Sequence, residues 1–409
     1  MVKIDSSIFD RISKSLNKQK VTFQTRKKGI VLEKKPVPAY TRTEKQNAVR
    51  TKYKQLCEQW KTLTKEEKQQ YAEIARRYNI TLFNAFLKVN LKVEIITFDN
   101  SGGGSWKYYI NAKLQSELSE DAVYIISIDS TNVTILNAER QNKINSQIAE
   151  TFWQNVKQDG SDIRAFDQNK QQLYFYVDKF DYANQQALIF VRLQTGATEL
   201  NIAIGNNLAQ QSGYNNPYQT FDAYDDFEDG DYSDKWERVS GVATEENGYL
   251  ELGSTSTSPG IIYYKLKQFS DGFVIESKFN HITTNDLGQI IFHYTDSGNM
   301  YMLTFGYQNT LAIVRRQNAS DTTLSSTTQA VAENVWYDAR VTRKQDGTIK
   351  QELIGIKTLT ATDTTFSTGY VGYRVGGLFN DITRFDNFRL YKINDPAVFT
   401  ELSIKTLQT

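Results

Sequence analysis

The alternation of apolar and polar residues changes period once along the chain. From Val49 to Tyr78 apolar residues recur three and four apart, with Val49, Tyr53, Leu56 and Trp60 on one face and Tyr71, Ile74, Ala75 and Tyr78 on another; this spacing predicts a helical hairpin. Between the two runs, "TKEE" predicts a capping box with Thr64 as N-cap and Glu67 three residues on. A further short helix is expected at "TLFNAFLKVNL". From about Val93 the period becomes two. "VEIITFDN", "WKYYINAKL", "AVYIISID", "NVTILNAE", "QLYFYVDKFD", "QALIFVRLQ" and "ELNIAIGN" are short alternating runs separated by Gly, Asn, Asp and Ser, and similar runs continue from "YLELG" to "TRFDNFRLYKI". With so few helical patterns, the period-two region predicts a mainly β fold, an antiparallel sandwich or barrel, preceded by a small basic α-helical domain.

Pro36 and Pro38 disfavour helix before the hairpin, so residues 1–40 are expected to form an extended basic arm, with "QTRKKG" as a turn or strand end. The remaining divisions are a helical docking hairpin over 41–92, a first sandwich over 93–218, a jelly roll over 219–395 and a C-terminal tail over 396–409. Charge follows the same division. Residues 1–95 hold 22 Lys or Arg against 9 Asp or Glu, which leaves 26 against 38 of the chain's 48 and 47 for residues 96–409. A basic head on an acidic body favours an anionic partner at the head, either nucleic acid or an acidic protein surface. The single cysteine, Cys57, excludes an intramolecular disulfide framework. The first twenty residues hold no apolar run of the leader type and nowhere do 18 apolar residues follow one another, so neither export by a leader nor a membrane span is expected.

Three stretches resemble known families. "LCEQWKTLTKEEKQQYAEIARRY" resembles the second and third helices of an HMG box, without a counterpart to the apolar wedge that such boxes insert into the minor groove, and it is also similar to small helical modules encoded by proviruses and phages. The first resemblance implies DNA binding; the second implies docking to a neighbouring protein. "GSDIRAFDQNKQQLYFYVDKFDYANQQALIFVRLQTGATELNIAIGNN" resembles the DUF2341 family, with Ala165 standing as a departure between Arg164 and Phe166. That resemblance implies a sandwich and an extracellular setting but no chemistry. Behind it, "FDAYDDFEDG", "WYDARV", "GYVGYR" and "FDNF" follow in the order of a concanavalin-like, LamG-type jelly roll. Pairing of first and last strands, usual in such domains, would bring Asp226 and Phe227 near Asp386 and Phe388. Together the DUF2341 and LamG-type resemblances imply two consecutive antiparallel β-sandwich (jelly-roll) domains.

Candidate chemistry is sparse. Asp225, Asp226, Glu228, Asp229 and Asp231 offer the hard oxygen ligands that calcium takes, and Asp386 could complete a site across the paired termini. A structural calcium ion is therefore expected on Asp226, Glu228 and Asp386. The E-x-D-x-x-E motif of concanavalin-like glycosidases, HExxH, CxxC and the phosphate-cradling GxxxxGK[ST] do not occur, and the two histidines, His281 and His293, stand apart from any partner cysteine. No catalytic residue is assigned and no enzyme is expected. What remains is binding. With 24 Tyr, 22 Phe and 5 Trp the chain is rich in rings that stack on sugars, and Tyr301, Tyr307, Trp336 and Tyr373 are the positions expected to form a glycan surface.

The expectation is a virion structural protein in which residues 1–92 engage other virion proteins of a capsid, vertex or tail, as a symmetric homo-oligomer, while the sandwiches project from the virion surface as a turret, spike or fibre that touches host glycans. Virus type follows less directly, with an archaeal virus favoured by the DUF2341–LamG pairing. The alternatives are an exported cell-surface adhesin and a DNA-binding or packaging protein acting through its HMG-like hairpin.

Overall fold

The computed structural model describes residues 21–26, 29–34, 44–69, 71–72, 75–76, 81–90, 105–137, 140–144, 146–282, 287–306, 309–376, 381–393 and 399–406. The chain forms two units, Met1–Ile95 with Thr409 and Ile96–Gln408. In the first, part of the expected extended arm is instead an antiparallel hairpin. Val21–Arg26 and Gly29–Lys34 pair in the register Phe23↔Leu32 and Thr25↔Ile30, two runs rich in β-branched and apolar residues that satisfy each other's backbone groups. The strands break between Arg26 and Gly29, where "QTRKKG" predicted it; Pro36 and Pro38 lie outside the described residues.

Helices follow at Glu44–Thr62, Lys65–Gln69 and Leu82–Asn90. The capping box forms in both directions: Thr64 N donates to Glu67 Oε2 at 2.7 Å and Glu67 N donates to Thr64 Oγ1 at 3.2 Å. Trp60 is the centre of the packing, with ring centroids 5.2 Å from Phe86, 5.5 Å from Phe83 and 6.4 Å from Tyr71. Leu56, Ala75 and Phe86 are buried beside it, whereas Tyr53 is 42% exposed and does not join the expected inward face. Ile74 and Tyr78 lie outside the described residues.

The second unit is all but continuous β-structure. Its first sandwich opposes the sheet Arg140–Ile144, Val133–Asn137, Ala122–Ile128, Gln186–Leu193, Phe175–Asp181 to the sheet Phe399–Thr406, Tyr108–Leu114, Glu199–Ile204, Arg164–Phe166, Gln172–Leu173, each in that spatial order. The "VEIITFDN" run lies outside the described residues. A helix absent from the period-two reading, Ser146–Asn155, buries Ile148, Ala149, Phe152 and Trp153 in the same core. The expected C-terminal tail is corrected here. Phe399–Thr406 is a strand paired with Tyr108–Leu114, and Phe399 packs edge-on against Tyr124 at 5.2 Å. A run of alternating Phe399, Leu402 and Ile404 next to an open sheet edge buries more apolar surface as a strand than as a tail.

The Asp-Ile-Arg element of this sandwich is a clamp. Asp162 is fully buried and accepts from Lys157 N, Gly205 N and Asn206 N at 3.0, 2.7 and 3.2 Å. Arg164, equally buried, donates to the carbonyls of Ser161, Ile163 and Gln210 and lies 5.1 Å over the Trp106 ring. These are backbone groups of a loop that would otherwise be buried without partners.

Residues 223–392 form the jelly roll. One sheet runs Val242–Glu246, Tyr249–Gly253, Ile382–Lys392, Phe273–His281, Trp336–Arg343, Thr348–Leu353, Lys357–Thr362, with Ala223–Asp225 also on Ile382–Lys392. The opening and closing strands pair as expected, Ala223↔Leu390 and Asp225↔Phe388. The other sheet runs Trp236–Ser240, Gly260–Tyr264, Thr368–Val375, Gly288–Asp296, Asn299–Phe305, Thr310–Gln317, Ser320–Thr328. Between them lies a core centred on Trp236, Phe292, Tyr301, Tyr373 and Phe388.

The two sandwiches are joined face to face. Val123, Ile125 and Phe190 on the outer face of the first pack with Phe221, Tyr224, Val274, Tyr391 and Ile393 of the second. Four sheets are therefore stacked in sequence. Fully burying one such side chain contributes about 1.5–3 kcal/mol, against about 0–1 kcal/mol for an exposed ion pair, so this apolar layer contributes more to joining the sandwiches than an exposed ion pair does.

Candidate functional site

The jelly-roll sheet farthest from the first sandwich carries a second apolar layer on the face turned away from the core. Along Thr368–Val375, Val371, Tyr373 and Val375 enter the core while Tyr370, Gly372 and Arg374 take the opposite face, as a period of two requires. Gly260–Tyr264 sets Tyr263 opposite Gly372 and Ile261 opposite Arg374. On the other side, Gly288–Asp296 sets Ile291 opposite Gly372 and Gln289 opposite Arg374. Met300 and Met302 extend the floor, and half-buried Val314 borders it.

A bulge adds the third tyrosine. Ile291 is opposite Gly372 but Tyr294 is opposite Tyr370, so one extra residue is accommodated between them, and His293 has φ 48° there. His293 turns inward against Phe273 and Tyr301, and Tyr294 lands on the outer face. The bulged backbone passes so close to Gly369 that a Cβ there would stand 2.5 Å from the His293 carbonyl carbon. The outcome is a cluster: Tyr263 stacks on Tyr294 at 5.3 Å and meets Tyr370 at 4.6 Å. Burial raises the pKa of the Tyr263 and Tyr294 hydroxyls, with Glu237 adding to the first, so both stay protonated donors at neutral pH. Beside the rings the face turns polar. Arg374 Nη1 donates to Gln289 Oε1 at 2.6 Å, and Gln289 Nε2 donates to Thr304 Oγ1 at 2.9 Å.

The aromatic positions expected from sequence do not form this surface. Tyr301 and Tyr373 are fully buried. Tyr373 stacks on Phe385 at 3.9 Å with its hydroxyl 2.8 Å from Ser277 Oγ, and Tyr301 donates to Asp363 Oδ1 at 2.6 Å. Each stands on the inward phase of its strand, where a large ring is core. Trp336 is 39% exposed but lies on the opposite sheet against Tyr249. Tyr307 lies outside the described residues. The tyrosines that do cluster, Tyr263, Tyr294 and Tyr370, stand in apolar runs of the same region, but their phase can be read only with the strand register and the His293 bulge in hand.

The carboxylates fare differently. Asp226, Glu228 and Asp386 are brought together, since burial first and then the charges of Glu228 and Asp226 push Asp386 up to about 6. Among the described residues, however, no group of three or more His, Cys, Asp or Glu is placed to hold a metal ion, and calcium at these positions is not shown. The oxygens are engaged elsewhere. Asp386 accepts from Asn387 N and Nδ2 at 2.6 and 2.9 Å, Asp226 from the Tyr224 hydroxyl at 3.3 Å, and Asp231 from Ser233. Asp225 accepts from Trp236 Nε1 at 2.7 Å and from Lys235 Nζ at 3.1 Å, and Lys235 also donates to Asp229 at 2.7 Å. The acidic opening segment is thus a knot around Lys235 and Trp236 that fixes the first strand. Glu245 belongs to it, accepting from Gly230 N at 2.8 Å; burial, then Asp229 and Asp225, push it up to about 7. Both histidines are buried, His281 bonding to Thr383 Oγ1 and the Phe305 carbonyl and His293 to the Phe366 carbonyl.

Comparison with known proteins finds similarity to solved structures that each align with about two fifths of the chain. These include the carbohydrate-binding module CBM66 of Bacillus subtilis (18% identity, 38% of this chain and 94% of that one, TM-score 0.34) and a B. subtilis protein of unknown function with a galectin-like fold (12%, 42% and 97%, 0.36). An endo-β-1,3-glucanase of Pyrococcus furiosus is similar at 14% identity over 43% of this chain and 95% of that one, TM-score 0.35. No curated protein sequence matches. No helix among the described residues is long and apolar enough to cross a membrane. Residues 159–239 match the family described as a domain of unknown function, DUF2341, and a DUF2341 domain is therefore present in the chain.

Proposed function

We propose that the protein is an adhesive structural protein that binds glycans on the outer face of its jelly roll, through Tyr263, Tyr294 and Tyr370. The observation that carries this reading is the clustering of three tyrosines, two of them half-buried, on the sheet face turned away from the core. Tyrosine rings offer flat apolar surface to the C–H faces of pyranoses while their hydroxyls hydrogen-bond at the rim. In this reading the stacked sandwiches serve as a stiff spacer and the basic head, 22 Lys or Arg against 9 Asp or Glu, as the attachment segment. A virion is the setting proposed, with residues 1–92 held by other virion proteins and the sandwiches turned outward.

Two experiments test it. Isothermal titration against a panel of neutral and acidic oligosaccharides is expected to give binding that Tyr370→Ala and Tyr263→Ala reduce at least tenfold and Trp336→Ala leaves unchanged, about the loss of one stacking contact. Binding insensitive to both tyrosine variants sinks the site. For the setting, mass spectrometry of purified particles after protease shaving is expected to lose peptides from residues 220–400 and keep those from 1–90; absence from particles sinks the virion reading.

A further inference from the structure

Arg374 differs from the other arginines of the jelly roll. Arg315, Arg316, Arg340, Arg343, Arg384 and Arg389 each pair with a carboxylate at 2.6–3.0 Å. Exposed Arg238 donates to the Gly241 carbonyl. Arg374 is only 8% exposed, and among the described residues its one bonded partner is the neutral amide of Gln289 and its Nε has no hydrogen-bond partner. Burial and the nearby Arg316 push its pKa down to about 10 against the opposing charge of Asp321, a carboxylate already paired with Arg316 rather than with Arg374. A buried charge without a partner costs several kcal/mol, and a fold that keeps one on a face already lined by stacked tyrosines is destabilised at the place where a ligand could supply the missing anion.

We propose that the tyrosine face selects an acidic sugar, a uronic- or sialic-acid residue whose carboxylate is taken by the Arg374 guanidinium while its pyranose ring lies on Tyr263. The inference rests on the glycan reading above and narrows it. Tyr263 stands opposite Gly372, two residues from Arg374 on the same face, which is about 7 Å along the strand and close to the span of one pyranose with its carboxylate. Gly372 has no side chain to fill the interval. Gln289, held in turn by Thr304, fixes Nη1 and so sets the orientation of the guanidinium plane, leaving Nη2 to meet a ligand carboxylate. A neutral sugar on the same rings would leave the guanidinium unpaired, so the charge discriminates rather than merely adding affinity.

The test uses the full chain and paired probes: 3′-sialyllactose against lactose, and digalacturonate against its carboxyl-reduced form. Calorimetry is expected to show each acid bound about tenfold or more tighter than its neutral partner, the worth of one charge-assisted hydrogen bond. Arg374→Gln is expected to erase that preference while leaving the weaker neutral binding, and Arg374→Lys to keep part of it. With the native protein alone, affinity for the acids is expected to fall as pH drops through the sugar carboxylate's pKa, at about 3–4, and affinity for lactose to stay level; this readout does not depend on any variant folding. Equal binding of acid and neutral forms, still lost in Tyr370→Ala, overturns the acidic-sugar assignment and leaves the glycan site standing. Preference for a sulfated lactose over sialyllactose overturns the carboxylate, and binding of none of the probes overturns both readings.

Discussion

Arg389 of the jelly roll donates from Nη1 to Asp178 of the first sandwich at 2.6 Å, while its Nε donates to Glu276 at the same distance. The guanidinium also lies 4.3 Å over the Phe190 ring, so one side chain spans the apolar layer between the sandwiches. Glu276 has Arg340 on its other oxygen at 2.6 Å and the Tyr391 hydroxyl at 3.2 Å. Removing its charge leaves the Arg340 guanidinium without its ion-pair partner and Arg389 with Asp178 alone. Glu276→Gln is expected to lower unfolding free energy by about 3–5 kcal/mol, and Asp178→Asn, at a wetter position, by about 1 kcal/mol or less. Denaturant unfolding followed by tryptophan fluorescence measures both, and equal effects of the two variants would contradict the assignment.

The same carboxylate sets an acid limit. Burial alone would raise its pKa, but Arg389 and Arg340 hold it down to about 2. A depressed acid stabilises the fold above its unfolded pKa of about 4.3 and loses that contribution as pH falls toward 2. Thermal unfolding of the second unit is therefore expected to weaken steeply between about pH 4 and 2, and Glu276→Gln to flatten that slope.

At the opening segment the sign reverses. Glu245 is pushed up to about 7 and Asp386 to about 6. An acid whose folded pKa is raised contributes stability that is complete below its unfolded value and lost as pH climbs through the folded one. The knot around Lys235 is expected to loosen between about pH 5 and 8, seen as faster amide exchange at Gly230, whose N–H is held by Glu245. Glu245→Gln keeps the acceptor and removes the charge, and is expected to abolish the pH dependence. Exchange at Gly230 that is level across this range sinks the idea.

Periodicity placed the change from helix to strand and the local T-x-x-E motif the capping box at Thr64 and Glu67, whereas the pairing of first and last jelly-roll strands came from the resemblance to a LamG-type domain. Side-chain phase was harder. Tyr373 and Tyr370 are three apart on one strand and so face opposite ways, and no count of aromatics distinguishes them; a shift of one residue moves a whole strand's set to the other face. Tyr294 depends further on a bulge made by His293, a residue type that gives no signal for φ 48°. The carboxylates were legible as a group, but their partners were not: Lys235 on Asp225 and Asp229, and Asn387 on Asp386, follow from the fold rather than from the acidic spacing.

That bulge is open to test through Gly369. With φ 156° and a Cβ that would stand 2.5 and 2.6 Å from the His293 backbone, Gly369→Ala forces the two strands apart. A loss of about 1–3 kcal/mol is expected, the range for overpacking, with the Tyr294 ring displaced from Tyr263. Glycan affinity should fall together with the stability. Stability loss with unchanged affinity would show that Tyr294 is dispensable to the face.

The last strand makes the strongest claim about how the second unit is assembled. Phe399–Thr406 follows the jelly roll in sequence, yet it completes a sheet of the first sandwich as the edge partner of Tyr108–Leu114, so the jelly roll at 223–392 is inserted between two strands of that sheet, Glu199–Ile204 and Phe399–Thr406. Phe399 is buried against Tyr124, and half-buried Leu402 and Ile404 cover the same core. Deleting residues 396–409 removes these side chains and leaves the Tyr108–Leu114 edge open, a template for pairing with another chain. Phe399→Ala is expected to cost about 3 kcal/mol, the lower end for a buried phenylalanine because the site borders solvent. The deletion should cost more and promote further association at high concentration, measured by light scattering, whereas a synthetic peptide of residues 396–409 added in excess should reverse that association and restore stability. Failure of the peptide to bind the truncated protein, with stability undiminished, would mean that the first sandwich closes without this strand.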